Sequence, residues 1–132
     1  MPLSQEERIK YKALYLKAAR AYVKELEINL TLLQEGKEAK EPMTSLHRAA
    51  HSLASQGTMM SFQSMSSVTS VMEKLFEGRK TMEHPFSQDA ITQLIEATTH
   101  LSICLDEIDK KSLESDLSQD VEKLQMLAEI SV

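Results

Sequence analysis

The sequence contains few of the residues that build disulfides, turns and β-sheets. Its single cysteine, Cys104, excludes an intrachain disulfide and a cysteine-based metal cluster, and suits a reducing compartment. Only three glycines and three prolines occur in 132 residues, aromatic residues make up 5%, and tryptophan is absent. Because turn formers and strand formers are this scarce, the composition favours long helices over sheet.

Positive charge and long apolar runs are also scarce. Fifteen basic residues against twenty acidic ones give a net charge of −5, without the basic block that is typical of proteins that bind a nucleic-acid backbone. The sequence shows no apolar run near the ~18 residues that a membrane span needs, and no apolar core of a signal peptide. We therefore expect a cytoplasmic protein that binds neither nucleic acid nor membrane.

A helical period of apolar residues runs through most of the chain. It predicts helices from about Gln5 to Gln34, from Thr44 or Ser45 to about Met60, from about Gln63 to Arg79, from Gln88 to about Lys110, and around Leu117 to Ile130. The run Lys37 to Glu41, with Gly36 before it and Pro42 after it, is predicted to be a loop. Four long amphipathic helices with short connections predict an all-α fold: an antiparallel four-helix bundle with an additional C-terminal helix, in one domain over residues 1–132.

The second helix has two distinct faces on a helical wheel. Its apolar arc, which we expect to face the core, consists of Leu46, Ala50, Leu53, Gly57 and Met60. A separate arc consists of His47, His51, Ala54, Ser55 and Thr58. His51 is therefore predicted to project into solvent among mostly small side chains, where a large partner could reach it.

The wheel alone leaves several interpretations of His51 open. Most exposed histidines are plain surface residues, and His51 fits that description. His47 and His51 are also four residues apart, which is a spacing used by metal ligands, but Glu73 is the one obvious further ligand. An inert structural or oligomerising bundle is equally compatible with the helical pattern.

The segment from His47 to Phe62, H-R-A-A-H-S-L-A-S-Q-G-T-M-M-S-F, resembles the signature around the active histidine of histidine phosphotransfer domains. It is most similar to the N-terminal phosphotransfer domain of chemotaxis-type histidine kinases. The segments Tyr15 to Arg20 and Met72 to Phe76 look like parts of that family's first and third helices. The resemblance covers nearly the whole chain, which could be a complete protein or the N-terminal part of a larger kinase.

The resemblance implies a role for each residue of the arc. His51 would accept a phosphoryl group from a histidine kinase and pass it to an aspartate of a response-regulator receiver domain. Glu73 would orient the imidazole ring. ATP and Mg²⁺ would belong to the partner domains, and this domain would bind no cofactor of its own. The remaining residues of the arc, which are His47, Ala54, Ser55 and Thr58, would contribute to partner docking.

The sequence departs from the family at positions close to His51. Ala54 stands where the family has a lysine, Ser55 and Ser61 stand where it has glycines, and Ser70 replaces a histidine or polar partner. The missing lysine would weaken phosphoryl binding or transfer by roughly 1–3 kcal/mol if its contact is charge-assisted. The alternative function is therefore a degenerate domain that binds a signalling partner without carrying phosphate.

Overall fold

The structure is a computed structural model that describes residues 3–129. These residues form five helices joined by short connections: α1 (Gln5–Gln34), α2 (Lys40–Met59), α3 (Gln63–Arg79), α4 (Gln88–Lys111) and α5 (Ser118–Glu129). Residues 3–129 contain no strand. The predicted all-α fold is confirmed, whereas Ile130, the predicted end of the fifth helix, lies outside the described residues.

Serine side chains cap the first residues of α1 and α4. Ser4 Oγ accepts the backbone N–H of Glu7 at 3.1 Å, and the Glu7 carboxylate in turn accepts the backbone N–H of Ser4 at 3.1 Å. Ser87 Oγ accepts the backbone N–H of Ala90 at 3.1 Å. Such caps satisfy N–H groups that have no partner within the helix.

The predicted start of α2 at Thr44 or Ser45 is wrong, because the helix begins at Lys40. Pro42 is the third residue of the helix rather than part of the preceding loop. Proline lacks an N–H group, but the N–H groups of the first turn have no intrahelical acceptor, so this position costs no hydrogen bond. The loop between α1 and α2 is correspondingly shorter than predicted.

The first four helices pack as an antiparallel bundle, and α5 lies against α3 and α4. In this bundle α1 contacts both α2 and α4, and α2 contacts α3. The largest fully buried side chains come from all four long helices: Leu26, Leu30, Met43, Leu46, Leu53, Met65, Met72, Phe76, Leu94, Leu101, Leu105 and Ile108. Burial of these apolar side chains is the main favourable contribution to folding.

Apolar residues spaced three or four apart predict a buried stripe on α1, which is only partly correct: Tyr11, Tyr15, Ala18, Tyr22, Leu26, Leu30 and Leu33. Tyr15, Leu26, Leu30 and Leu33 are buried as expected, but Ala19 and Val23 are buried in place of the half-exposed Ala18 and Tyr22. Tyr11 is exposed. The first ten residues of α1, Gln5 to Leu14, contain no buried residue. The helical period of apolar residues continues through these ten residues, but the neighbouring helices do not bury them.

The α2–α3 connection brings the start of α3 close to the end of α2. The Phe62 N–H donates to Gly57 O at 2.8 Å, and Ser61 adopts a left-handed backbone with φ 63°. This conformation explains why the resembling family has glycine at the position of Ser61. A Cβ atom on Gly57 would lie 3.1 Å from Ser66 N, so a larger residue at this position would require the start of α3 to shift by a few tenths of an ångström.

Polar contacts fasten α5 and its preceding loop onto the bundle. The Arg79 guanidinium donates to Pro85 O at 3.1 Å and to Leu127 O at 3.0 Å. Glu114 Oε2 accepts the Met65 N–H at 2.8 Å, at the start of α3. Asp120, a largely buried residue of α5, contacts His100 of α4 through an Oδ1–Nδ1 distance of 2.8 Å.

Among the described residues, none of the helices combines the length and apolarity that crossing a bilayer requires.

The close approach at Gly57 predicts opposite effects for two glycine substitutions. Gly57→Ala should destabilise the fold by about 1–3 kcal/mol, because backbone atoms at the start of α3 would have to move away from the added methyl group. Gly78→Ala has nothing within 4 Å of the added atom. It should stabilise the fold by about 0.5–1 kcal/mol, since alanine is the better helix former. Urea denaturation of both variants measures the difference, and equal midpoints would contradict the proposed shift of α3.

The His100–Asp120 contact predicts that α5 can be loosened selectively. Asp120→Ala should weaken the docking of α5 by about 1 kcal/mol, because a partly buried hydrogen bond is lost. Hydrogen exchange should then accelerate in residues 118–129 and stay unchanged in α2. Glu122→Ala, at an exposed position of the same helix, is the matched control. If both variants exchange alike, Asp120 does not fasten the helix.

Candidate functional site

The two faces of α2 determine where His51 lies. Leu46, Ala50, Leu53 and Gly57 are buried, and Met60 is half-buried, so the predicted core-facing arc points inward. The His51 side chain is 61% exposed. It therefore lies on the surface of the bundle, on a helix that is anchored by its opposite face.

The rest of the predicted arc around His51 is exposed to different extents. Ser55 and Thr58 are exposed and His47 is half-buried. Ala54 differs from the expectation that it is exposed, because it is buried with 7% of its surface accessible. On the wheel, Ala54 is the member of its arc closest to the core-facing arc, about 40° from Ala50. Its single methyl group is short enough for neighbouring side chains to cover it.

Glu73 of α3 lies directly opposite His51. Glu73 Oε2 is 2.5 Å from His51 Nδ1, and the Glu73 side chain is 27% exposed. A carboxylate can only accept a hydrogen bond, so Nδ1 is the protonated nitrogen in this contact. In the neutral ring the lone pair is then on Nε2, which is the nitrogen available for nucleophilic attack.

A second histidine–carboxylate contact lies one helical turn away. His47 Nε2 is 3.0 Å from Glu77 Oε2 and 4.0 Å from Glu73 Oε2. Lys80 Nζ also donates to Glu77 Oε2, at 3.0 Å, and this hydrogen bond holds the pKa of Glu77 below its ordinary value. The two histidines of α2 and the two glutamates of α3 thus form two parallel pairs.

Glu77 and Lys80 were not recognised from the sequence as part of this site. A signal was nevertheless available: His47 precedes His51 by four residues, and Glu77 follows Glu73 by four. Because adjacent antiparallel helices run in opposite directions, one turn back on α2 faces one turn forward on α3. Once His51 is paired with Glu73, the pairing of His47 with Glu77 follows.

The metal interpretation of the two histidines finds no support in the geometry. Within residues 3–129, no three side chains of the types His, Cys, Asp and Glu are arranged to hold a metal ion. Both α2 histidines instead use one ring nitrogen to contact a carboxylate oxygen. Such an arrangement selects a tautomer and leaves the other nitrogen of His51 free to react.

A comparison with models of known protein families found one that matches this chain. The family model described as "Hpt domain" matches residues 10–127, a span that includes α2, α3 and the whole His51–Glu73 site. The chain belongs to the Hpt domain family. Hpt domains carry phosphoryl groups in two-component signalling, where they work with kinases and receiver domains. A search of curated proteins and a search of solved structures each found no match.

The other candidate residues of this Hpt domain lie away from the site. Cys104 is fully buried in α4, and burial raises the pKa of its thiol, which disfavours the nucleophilic thiolate. His84 is exposed in the α3–α4 connection, and His100 is half-buried against Asp120. Ser70, which replaces a polar partner of the family, is half-buried on α3.

The His51–Glu73 contact predicts the tautomer of the His51 ring. In the intact Hpt domain, neutral His51 should carry its proton on Nδ1, and Glu73→Ala should shift the ring towards a mixture of both tautomers. Ring ¹⁵N chemical shifts measured by NMR above pH 8 distinguish these forms. Glu96→Ala, which removes an exposed glutamate of α4, is the control. A His51 ring with the same shifts in all three proteins would contradict the role of Glu73.

Proposed function

We propose that His51 is the phosphoryl acceptor of this Hpt domain and that Glu73 orients and activates its ring. The observation that carries this proposal is the contact between His51 Nδ1 and Glu73 Oε2, made by a histidine whose side chain is 61% exposed. One nitrogen is held by the protein, and the other is left for a partner to reach.

The transfer consists of two substitutions at phosphorus. The Nε2 lone pair attacks the γ-phosphorus of ATP bound to the kinase, an Nε2–P bond forms, and the P–O bond to ADP breaks. A receiver carboxylate then attacks the same phosphorus, an O–P bond forms, and the Nε2–P bond breaks. In both steps the proton stays on Nδ1, hydrogen-bonded to Glu73.

Glu73 contributes electrostatically to the first substitution. The imidazole gains positive charge as Nε2 bonds to phosphorus, and a carboxylate 2.5 Å from Nδ1 stabilises that charge. A charge-assisted hydrogen bond of this kind is worth about 1.5–3 kcal/mol. This corresponds to about a tenfold to hundredfold effect on the transfer rate.

Phosphotransfer through His51 would need two partner domains, one that donates the phosphoryl group and one that accepts it. A histidine kinase domain would provide ATP and Mg²⁺, and a receiver domain would provide an acidic metal-binding pocket and the accepting aspartate. We propose no cofactor bound by this domain itself and a cytoplasmic location. The resemblance of its motif to chemotaxis-type kinases makes such a kinase a reasonable donor.

The surface around His51 is suited to contact with such partners. Ser55 and Thr58 are exposed and small, and they lie on the same side of α2 as His51. Ala54 would contribute through the close approach that its short side chain permits, and His47 through its polar ring. Met59, whose surface is 83% exposed at the end of α2, adds an apolar contact near this face.

One observation favours the alternative of a partner-binding domain without phosphate. The lysine that the family places three residues after the histidine is Ala54 here, and this residue is buried. A cation that would hold the phosphoryl group is therefore missing from this position. The nucleophile and its carboxylate partner are both retained, which is why we favour phosphotransfer.

Labelling with a panel of histidine kinases and γ-³²P-ATP tests the function. The wild-type domain should acquire acid-labile, base-stable label, which is characteristic of phosphohistidine, and His51→Gln should acquire none. Glu73→Ala should be labelled about tenfold to a hundredfold more slowly. His84→Gln, at an exposed loop position, is the matched control and should be labelled like the wild type.

The same experiment distinguishes the alternative. Absence of label with every kinase, together with retained binding to a receiver domain, would favour the partner-binding domain. Absence of both would favour an inert bundle. A normal labelling rate in Glu73→Ala would contradict the role of Glu73 and leave that of His51 intact.

A further inference from the structure

His47 lies beside the two glutamates of α3 at the His51 site. His47 Nε2 lies 3.0 Å from Glu77 and 4.0 Å from Glu73, the carboxylate that contacts His51. Its side chain is 29% exposed, so that solvent protons reach it and screening by water is incomplete. Among the residues of α2, His47 is the one that touches both glutamates of α3.

The charged groups that face His47 come mainly from α3. Glu73 and Glu77 each contribute one negative charge, and Lys80, bound to Glu77, contributes one positive charge. Arg48 of α2 and Glu25 of α1 pair with each other at 3.1 Å, so this pair adds no net charge. The cluster of Glu73, Glu77 and Lys80 therefore has a net charge of −1 when His47 is neutral and is balanced when His47 is protonated.

The net charge of this cluster affects the approach of a phosphoryl donor to His51, because the donor is an anion. A net negative cluster repels the donor and the phosphoryl group already bound, whereas a protonated His47 removes that repulsion. Ala54 provides no cation. Apart from His51 itself, the groups paired with Glu73 and Glu77 that can carry positive charge are Lys80 and His47. Lysine side chains ordinarily stay charged at neutral pH, whereas histidine side chains ordinarily gain or lose their charge near pH 6.5.

We propose that His47 is a pH-responsive positioning residue for His51: its protonated ring lies between Glu73 and Glu77 and supplies the positive charge that Ala54 does not. This inference rests on the proposed function of His51. It makes phosphoryl acceptance at His51 sensitive to pH through a second residue, one helical turn from the acceptor.

Three versions of the domain test the proposal: wild type, His47→Gln and His47→Arg. Glutamine can still donate a hydrogen bond to Glu77 without charge, and arginine remains charged throughout the pH range. The donor is phosphoramidate, which transfers its phosphoryl group with release of ammonia and needs no kinase. Dividing each rate by that of His47→Gln at the same pH cancels the ionisation of the donor.

The expected result is a pH-dependent ratio for the wild type and a constant one for arginine. At pH 6 the wild type should accept phosphate about threefold to tenfold faster than His47→Gln, given one unit charge a helical turn away. The ratio should fall towards one by pH 8.5, while His47→Arg keeps its advantage at both pH values. Both advantages should shrink in 1 M NaCl, because the site is partly exposed.

The outcomes separate this proposal from the function on which it rests. A wild-type ratio that is the same at pH 6 and pH 8.5, with His51 still labelled, overturns the role of His47 alone. Absence of label on His51 in all three proteins overturns both. Matching thermal melts of the three proteins ensure that a difference in rate reports on charge rather than folding.

Discussion

The close packing of α2 against α3 is the constraint on which the site depends. The two helices meet where Gly57 faces the start of α3, and a turn with a left-handed residue at Ser61 joins them immediately beyond. This junction sets the register of the antiparallel pair. His51 consequently lies opposite Glu73, and His47 lies opposite Glu77. A different register at the turn would separate both pairs.

The rest of the bundle supports this pair from behind. The core-facing arc of α2 is largely buried. The helix α5 and the loop that precedes it hold α3 through the contacts of Arg79 and Glu114. Neither contact involves the histidines. The interior behind the site is therefore closely packed. The polar side chains of the site are held by contacts among themselves, which link Glu73 to His47, His47 to Glu77, and Glu77 to Lys80.

Much of the fold could be predicted from the sequence because helices of this length have a strong apolar period. The bounds of α1 and α3 agree with the prediction. The start of α2 could not be predicted in this way, since proline in a first turn and proline in a loop leave the same pattern. The buried stripe of α1 was partly wrong because its covering depends on where α2 and α4 end.

The candidate site shows the same division between local pattern and tertiary contact. The exposure of His51 follows from the wheel of one helix, and the position of Glu73 came from a resemblance rather than from the period. Ala54 was misplaced because a wheel assigns direction but not the reach of neighbouring side chains. The contact of His100 with Asp120 joins residues twenty positions apart on different helices, and no short-range pattern indicates it.

The small side chains around His51 have a consequence for how such a domain can diverge. Ser55 and Thr58 bury little surface, so replacing them costs the bundle little stability, whereas the core arc on the opposite face of the same helix tolerates few changes. Recognition of a new partner can therefore evolve on one face of α2 while the other face preserves the fold. The residues of α2 that determine partner specificity can therefore change independently of those that maintain the fold.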